Sequence, residues 1–178
     1  MAETRLSRGL IQVYTGNGKG KTTAALGMAL RAAGHGMRVL ILQFIKGSWR
    51  YGELDALKRF PEIEIRALGS GFTWKKDNLE EDRVLAQRGW EEAAAALRSG
   101  EIDLLILDEL NIVLVYGLLA TEPVLDALRG RVPQLHVVVT GRGAPPGLLD
   151  AADLVTEMVQ VKHPYHEQGI SAQKGVEF

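Results

Sequence analysis

The decisive stretch of this chain reads Thr15-Gly16-Asn17-Gly18-Lys19-Gly20-Lys21-Thr22-Thr23. An apolar run at residues 10–14 precedes it and predicts a strand, and the apolar spacing of residues 24–30 predicts a helix after it. A glycine-rich turn between a strand and a helix suits a phosphate cradle, because glycines allow successive backbone N–H groups to point inward. The helix N-terminus adds partial positive charge and Lys21 adds a full one. The stretch therefore predicts a binding site for a polyphosphate.

The glycine-rich stretch departs in two ways from the usual phosphate-loop pattern, G-x-x-x-x-G-K-[ST]. Thr15 stands where the first glycine is expected, with Gly16 directly after it, and Lys19 adds a second cation. The alternative is a strand-to-helix turn without a ligand, but the flanking strand and helix favour a loop that binds a nucleoside triphosphate and handles it unusually. The candidate nucleotide-binding residues are Gly16, Asn17, Gly18, Lys19, Gly20, Lys21, Thr22 and Thr23.

Length, composition and net charge limit the classes of protein to which this chain can belong. The chain has 178 residues, 46% of them hydrophobic, which is enough for one buried core, so we expect a single domain over residues 1–178. Residues 1–8 lack the apolar core of a signal peptide and are expected to form a polar, flexible lead-in. A net charge of −1 argues against a nucleic-acid partner, and no apolar run reaches the ~20 residues of a membrane span. The lack of cysteine excludes disulfides, thiolate metal sites and cysteine nucleophiles, and fits a cytoplasmic protein.

Alternating elements predict the fold class. Near-continuous apolar runs such as Leu104-Leu105-Ile106-Leu107 are typical of central strands that are covered on both faces. Repeated alternation of strands and helices predicts an α/β fold of three layers, with a mainly parallel sheet and helices on both of its faces. The predicted strands are residues 10–14, 38–43, 63–67, 103–107, 134–140 and 154–160, and the predicted helices are residues 21–33, 53–59, 79–99, 122–128 and 146–151.

The segments that follow the predicted strands hold a large share of the glycines, cations and aromatic residues of the chain. In open α/β sheets, ligands bind at the carboxyl ends of the strands. We therefore expect these segments to meet around one site: residues 15–22, 44–50, 69–74, 108–111, 141–143 and 162–166.

Two carboxylates, Asp108 and Glu109, end the predicted strand at residues 103–107. In phosphate-loop proteins such a strand lies beside the loop and offers oxygen atoms to Mg²⁺, which prefers hard oxygen ligands. The Thr22 hydroxyl would supply a further ligand. We therefore predict a site for Mg²⁺, or Mn²⁺ in its place, with Thr22, Glu109 and Asp108 as ligands. The alternative is a pair of carboxylates that caps the next helix.

Three further side chains are candidates for the site. Arg142 stands between two glycines after a predicted strand, which suits a mobile clamp on a polyphosphate or a carboxylate; the alternative is an ordinary charged turn. Phe72 and Trp74 follow a Gly-Ser-Gly turn. They either fold back onto the core or line a site for a flat apolar ligand, for which adenine and a macrocycle are candidates.

Taken together, these segments resemble one family, the phosphate-loop cob(I)alamin (corrinoid) adenosyltransferases, which are ATP:co(I)rrinoid adenosyltransferases. The resemblance spans nearly the whole chain in the order of the family. Its specificity comes from the G-N-G-K-G-K-T-T form of the loop combined with G-F-T-W and the terminal A-Q-x-G block. The matching blocks are residues 13–25, 43–47, 71–74, 107–110, 140–143, 161–163 and 172–178.

The resemblance implies a P-loop NTPase-like (RecA-like) fold and an enzyme that transfers the 5′-deoxyadenosyl group of ATP to the cobalt(I) of a corrinoid. Triphosphate is released, in adenosylcobalamin biosynthesis or salvage. Lys21 and Arg142 would stabilise the anionic leaving group, together with Lys19, the loop amides and Mg²⁺. Phe72 and Trp74 would lie in the corrinoid pocket and displace the lower axial ligand of cobalt(II), which eases its reduction.

The same resemblance implies binding partners, and this chain differs from the family pattern at one position. The partners are ATP, the corrinoid substrate, an electron donor such as a reduced flavoprotein, and a second copy of the chain in a homodimer. Asn111 stands where a threonine is expected in close relatives, which affects local hydrogen bonding.

Other interpretations of the loop remain open. An ordinary phosphate-loop ATPase or small-molecule kinase would act at the γ-phosphate and would need a positioned water or acceptor hydroxyl. An ATP-dependent nucleic-acid-binding module is disfavoured by the net charge of −1. A non-catalytic nucleotide sensor has no feature of the sequence in its favour.

Overall fold

The computed structural model describes residues 8–47, 51–69, 71 and 79–177. Its centre is a sheet of six strands: β1 Ile11–Thr15, β2 Val39–Gln43, β3 Ile63–Ala67, β4 Leu104–Asp108, β5 His136–Thr140 and β6 Leu154–Glu157. The strands lie in the order β3-β2-β4-β5-β1-β6, and every neighbouring pair is parallel. The predicted α/β fold with a mainly parallel sheet is confirmed.

Seven helices accompany this sheet in the described part of the chain. Two of the five predicted helices have the predicted bounds, and the other three begin or end one or two residues away from them, as is usual for helix termini. The helices are α1 Lys21–Ala33, α2 Gly52–Leu57, α3 Glu80–Ser99, α4 Leu110–Val115, α5 Thr121–Arg129, α6 Pro146–Ala151 and α7 Pro164–Gln168. None of the described helices combines the length and the apolar composition that crossing a bilayer requires.

Side chains of the central strands pack alternately on the two faces of the sheet. Leu105 and Leu107 belong to one core cluster, to which α3, α4, α5 and α6 contribute, whereas Leu104 and Ile106 belong to a second cluster that contains the buried alanines of α1. These four side chains are at most 2% exposed. The near-continuous apolar run of β4 is therefore explained by burial on both faces, and the helices cover both faces as predicted.

Two helices were not predicted, and β6 ends three residues before its predicted end, whereas the other strand ends lie within two residues of their predicted positions. The sequence of α4, Leu-Asn-Ile-Val-Leu-Val, is too uniformly apolar to show helical periodicity, so it was not predicted. α7 begins at Pro164 and is capped by Gly169 in the left-handed region (φ 67°), and these two residues were a usable signal. β6 ends at Glu157, not at residue 160, because the next residue, Met158, turns to meet the glycine-rich loop.

The strand order brings the candidate site residues together at the carboxyl ends of neighbouring strands. β4, β5 and β1 are consecutive neighbours, so the carboxylates that end β4, the glycine-flanked arginine after β5 and the loop after β1 emerge side by side. This is the geometry that the sequence predicted for these three segments.

Candidate active site

The loop between β1 and α1 is held by the backbone of the neighbouring edge strand. The Gly18 N–H donates to the Met158 carbonyl oxygen over 2.6 Å, and the Met158 N–H donates to the Thr15 carbonyl oxygen over 2.9 Å. Gly16 and Gly20 have φ values of 89° and 109°, which favour glycine. A Cβ on Gly16 would lie 2.5 Å from the Met158 carbonyl oxygen. Glycine is therefore required at Gly16 by both backbone conformation and close approach, and it is favoured at Gly20 by backbone conformation.

Lys21 is the buried cation of the loop. Its side chain is 7% exposed, and its Nζ donates to the carbonyl oxygens of Gly16 and Gly18 over 2.8 and 2.6 Å. Burial lowers the pKa of Lys21, Glu109 opposes this shift, and the nearby Arg142 adds to it. The ammonium group is thus pre-positioned in the cradle, where an incoming anion can replace the loop carbonyls as its partner.

Asp108 is buried beneath the loop with a full set of donors. Its Oδ1 accepts hydrogen bonds from the hydroxyls of Thr22 (2.8 Å) and Thr140 (2.7 Å), and its Oδ2 accepts one from the Gln43 amide (3.0 Å). The Lys46 ammonium lies 3.9 Å from Oδ2. These contacts join the first turn of α1 to the ends of β2, β4 and β5.

Glu109 is placed by an unusual backbone conformation. It has a φ of 63°, and it is the single non-glycine residue with positive φ in the described part of the chain. Its N–H donates to the Thr140 hydroxyl over 3.0 Å. Burial, and then the charge of Asp108, raises the pKa of Glu109 to about 7, against the opposing effects of Lys21, Lys46 and Arg142. Strain of this kind costs about 1–3 kcal/mol and is typical of functional positions.

The donor set suits a hard divalent cation. Thr22, Asp108 and Glu109 offer only oxygen atoms, and they lie at the start of α1 and the end of β4 as Mg²⁺ sites in phosphate-loop proteins require. In the described part of the chain, no three side chains of His, Cys, Asp or Glu gather as a cage for an ion. Mg²⁺ keeps several waters and takes further oxygens from the phosphates it accompanies. A bound cation would oppose the two causes that raise the pKa of Glu109, which are its burial and the charge of Asp108.

Glu109→Gln is expected to change the pH dependence of stability. A raised carboxyl pKa stabilises the fold fully below about pH 4.5, and this contribution is lost as the pH rises through about 7. Relative to the neutral glutamine variant, the free energy of unfolding of the unsubstituted protein should fall by on the order of 2–3 kcal/mol between these pH values. Urea unfolding without Mg²⁺ and nucleotide measures this difference. Parallel pH profiles for the two proteins would show that Glu109 ionises normally.

Arg142 lies in the turn after β5, between two glycines with φ values of 130° and 67°. It lines the same cavity as Lys21 and Glu109, and its charge affects the pKa values of both. The turn is fixed from two sides. The Gly141 N–H donates to the Tyr14 carbonyl oxygen, and the Asn111 amide donates to the Gly141 carbonyl oxygen.

Lys46 was predicted only as part of the segment at residues 44–50 and was given no role in the site. Its Nζ lies 2.7 Å from Glu53 Oε1 and 4.4 Å from the centre of the Tyr51 ring, in addition to its approach to Asp108. The side chain is only 16% exposed and lines the cavity. Its position directly after β2, in the Gln-Phe-Ile-Lys-Gly segment, was a usable signal, because every other cation of the site also follows a strand.

These side chains line a cavity of about 870 Å³. Its lining includes the charged side chains of Lys21, Lys46, Glu109 and Arg142 and the apolar side chains of Leu26 and Leu30 of α1. The C-terminal segment closes part of it, and Lys19 forms an ion pair with Glu177. Residues 172–178 match a family block in the sequence, but their contact with the loop was not predicted. The described lining residues are Gly18, Lys19, Gly20, Lys21, Thr22, Thr23, Leu26, Gly27, Leu30, Lys46, Tyr51, Gly52, Glu53, Glu109, Arg142, Ala172, Gly175, Val176 and Glu177.

Some of the predicted site residues are not brought together here. Phe72 and Trp74 lie outside the described residues, so their place in a corrinoid pocket stays a prediction. Gly16, Asn17 and Asp108 are not among the described lining residues, although the first two belong to the loop and Asp108 supports it from below. Residues 162–166 are also absent from that lining; they include the first three residues of α7, none of whose residues is buried.

The fold and the site together define a phosphate-loop nucleotide-binding protein of the α/β class. The corrinoid adenosyltransferase of Pseudomonas aeruginosa is 48% identical to this chain, over all of this chain and 88% of its own length. The family described as ATP:corrinoid adenosyltransferase BtuR/CobO/CobP matches residues 7–178, and the chain belongs to that family.

Further relatives and one solved structure are similar to this chain to different degrees. The corrinoid adenosyltransferases of Escherichia coli K12 and Salmonella typhimurium are 42% and 41% identical, each over all of this chain and 90% of its own length. Among solved structures, a KaiC-like protein of Pyrococcus horikoshii OT3 has 13% identity and a TM-score of 0.48, over 87% of this chain and 74% of that chain.

Proposed function

We propose that this corrinoid adenosyltransferase carries out its reaction, the transfer of the 5′-deoxyadenosyl group of ATP to the reduced cobalt of a corrinoid in adenosylcobalamin biosynthesis, at the phosphate-loop cavity. The bond that breaks joins C5′ of the ribose to the oxygen of the α-phosphate, so the triphosphate leaves whole. The loop and its neighbouring cations would then bind the triphosphate as it leaves.

The observation that carries this assignment is the convergence of cations on one cavity. Lys21, Lys46 and Arg142 come from three different segments and line the same space beside the loop amides. Lys19 stands at its rim, paired with Glu177. Such a group of cations stabilises the departing triphosphate most, because the negative charge on the phosphate oxygens is greatest in that state.

The chemical step needs little proton transfer. Cobalt(I) supplies an electron pair to C5′, the C5′–O bond breaks, and its electrons leave with the triphosphate, so that cobalt is formally oxidised to cobalt(III). The nucleophile carries no proton, and no general base is required. We therefore assign Glu109 to holding the metal and Asp108 to supporting the metal site through Thr22. Lys21 and Arg142 stabilise charge on the leaving oxygens.

Mg²⁺, when bound, would neutralise part of the triphosphate charge. Thr22 and Glu109 would hold it, with Asp108 fixing the Thr22 hydroxyl from below at 2.8 Å. Mn²⁺ has the same preference for oxygen ligands and would serve in its place.

Product analysis tests the proposed function. Purified protein with ATP, Mg²⁺ and chemically reduced cobalamin should give triphosphate and an adenosyl–cobalt chromophore in equal amounts, and neither product when the corrinoid is omitted. ADP and phosphate formed without corrinoid would contradict it, and would support a γ-phosphate hydrolase in which Glu109 activates water.

The proposed location, oligomeric state and electron donor rest on the family resemblance and the cysteine-free composition. The enzyme would act in the cytoplasm as a homodimer, and an external donor such as a reduced flavoprotein would supply the electron for cobalt(I). Sedimentation of the purified protein tests the dimer, since a monomer at working concentrations would contradict it.

A further inference from the structure

We propose that Asn111 is a positioning residue, which fixes Arg142 for its contact with the departing triphosphate. The inference rests on the proposed function, because it adds a supporting residue to the same site. It concerns the one buried amide that joins the segment after β4 to the turn after β5 in the described part of the chain.

The hydrogen bond of Asn111 acts directly on the backbone that carries Arg142. Asn111 is 0% exposed and is the second residue of α4. Its Nδ2 donates to the Gly141 carbonyl oxygen over 2.8 Å. That oxygen belongs to the planar peptide group between Gly141 and Arg142, so the bond fixes the plane from which the arginine side chain starts.

Close packing adds to this constraint. Gly141 has a φ of 130°, and a Cβ built on it would lie 2.9 Å from Asn111 Cβ and 3.1 Å from Glu109 Oε2. The turn therefore rests against both side chains. A change at Asn111 moves the turn relative to Glu109, and with it the guanidinium that shares the cavity with that carboxylate.

The side-chain oxygen of Asn111 indicates that packing alone does not explain an asparagine at this position. Asn111 Oδ1 is buried and has no hydrogen-bond donor within the described residues. An unpaired buried polar atom costs about 1–3 kcal/mol, which a leucine of similar volume would avoid. The benefit must therefore come from Nδ2, whose partner is the Arg142 turn.

Arg142 gains from this support although the Gly141 N–H is already bonded to the Tyr14 carbonyl oxygen. Glycine on each side gives the backbone wide freedom, whereas a guanidinium recognises phosphate oxygens only in a narrow geometry. With the peptide plane fixed in advance, less freedom is lost when the triphosphate is bound.

A double-mutant cycle tests the inference through the affinity for inorganic triphosphate with Mg²⁺, measured by calorimetry. Asn111→Leu should weaken binding about tenfold, the equivalent of one hydrogen bond to the turn. In the Arg142→Ala background the same change should alter affinity by less than about twofold, because the group that Asn111 positions is gone. Asn111→Ala provides the same comparison if the leucine variant fails to fold.

Val113→Ala is the matched control. Val113 lies on the same helix and is also 0% exposed, but its side chain has no part in the hydrogen bond to Gly141. It should lower the melting temperature and act equally in both backgrounds. Equal weakening by Asn111→Leu in both backgrounds would overturn the inference. If Arg142→Ala alone left triphosphate affinity unchanged, the role of Arg142 in the proposed function would fail instead.

Discussion

Lys21→Met is expected to lower kcat/KM for ATP by about a hundredfold to a thousandfold, the range found when one preorganised donor is removed from a site that stabilises an oxyanion. Lys21 is 7% exposed and already lies in the cradle, so the substitution removes a fixed charge and not a flexible one. Steady-state kinetics with prereduced corrinoid measure the effect. Urea unfolding should accompany them, because the substitution leaves two loop carbonyls without their donor.

Lys19→Met is the matched control for this prediction. Lys19 is on the same loop, but its side chain is 52% exposed and is paired with Glu177. Solvent screens such a charge, so we expect a loss of only about fivefold. Equal losses from the two lysine substitutions would contradict the assignment of Lys21 as the principal cation of the loop.

Gly16→Ala is expected to abolish nucleotide binding and to destabilise the fold by roughly 2–5 kcal/mol. Two costs combine: a left-handed φ of 89°, and a Cβ only 2.5 Å from the Met158 carbonyl oxygen. That oxygen is part of the backbone that anchors the loop through Gly18, so it cannot move without releasing the loop. Urea unfolding and calorimetric titration with ATP measure the two effects.

Gly100→Ala separates the two costs. Gly100 has a similar φ of 69°, but a Cβ there would meet nothing within 4 Å. It should cost only about 1–2 kcal/mol, which is the cost of the left-handed conformation, and leave ATP binding unchanged. If Gly16→Ala were no more destabilising than Gly100→Ala, the close approach to Met158 would contribute nothing to the loss of stability.

Much of the fold followed from local pattern. Burial explains the apolar spacing of the strand and helix on either side of the loop, and it explains the near-continuous apolar run that ends at Asp108. By contrast, α4 was missed because a short helix buried among its neighbours carries no polar face to reveal its period.

The site was predictable where a residue belongs to the phosphate-loop pattern, as Lys21 and Thr22 do, or closely follows a strand. Arg142 and Glu109 do so and were predicted, and the strand order brings both beside the loop. The Lys19–Glu177 ion pair and the hydrogen bond from Asn111 to the Gly141 carbonyl depend on contacts between distant segments. No spacing rule reports such contacts, because they are set by how the chain returns to the loop after β5 and β6.

The central claim is that the C5′–oxygen bond of ATP breaks and that the cavity holds the whole triphosphate as it leaves. Its most direct test uses ATP labelled with ¹⁸O at the oxygen that bridges C5′ and the α-phosphate, together with Mg²⁺ and prereduced corrinoid. Mass spectrometry of the products should find the label entirely in triphosphate and none in the adenosyl product. Label that stays attached to the nucleoside, in ADP or in any adenosine product, would contradict the account.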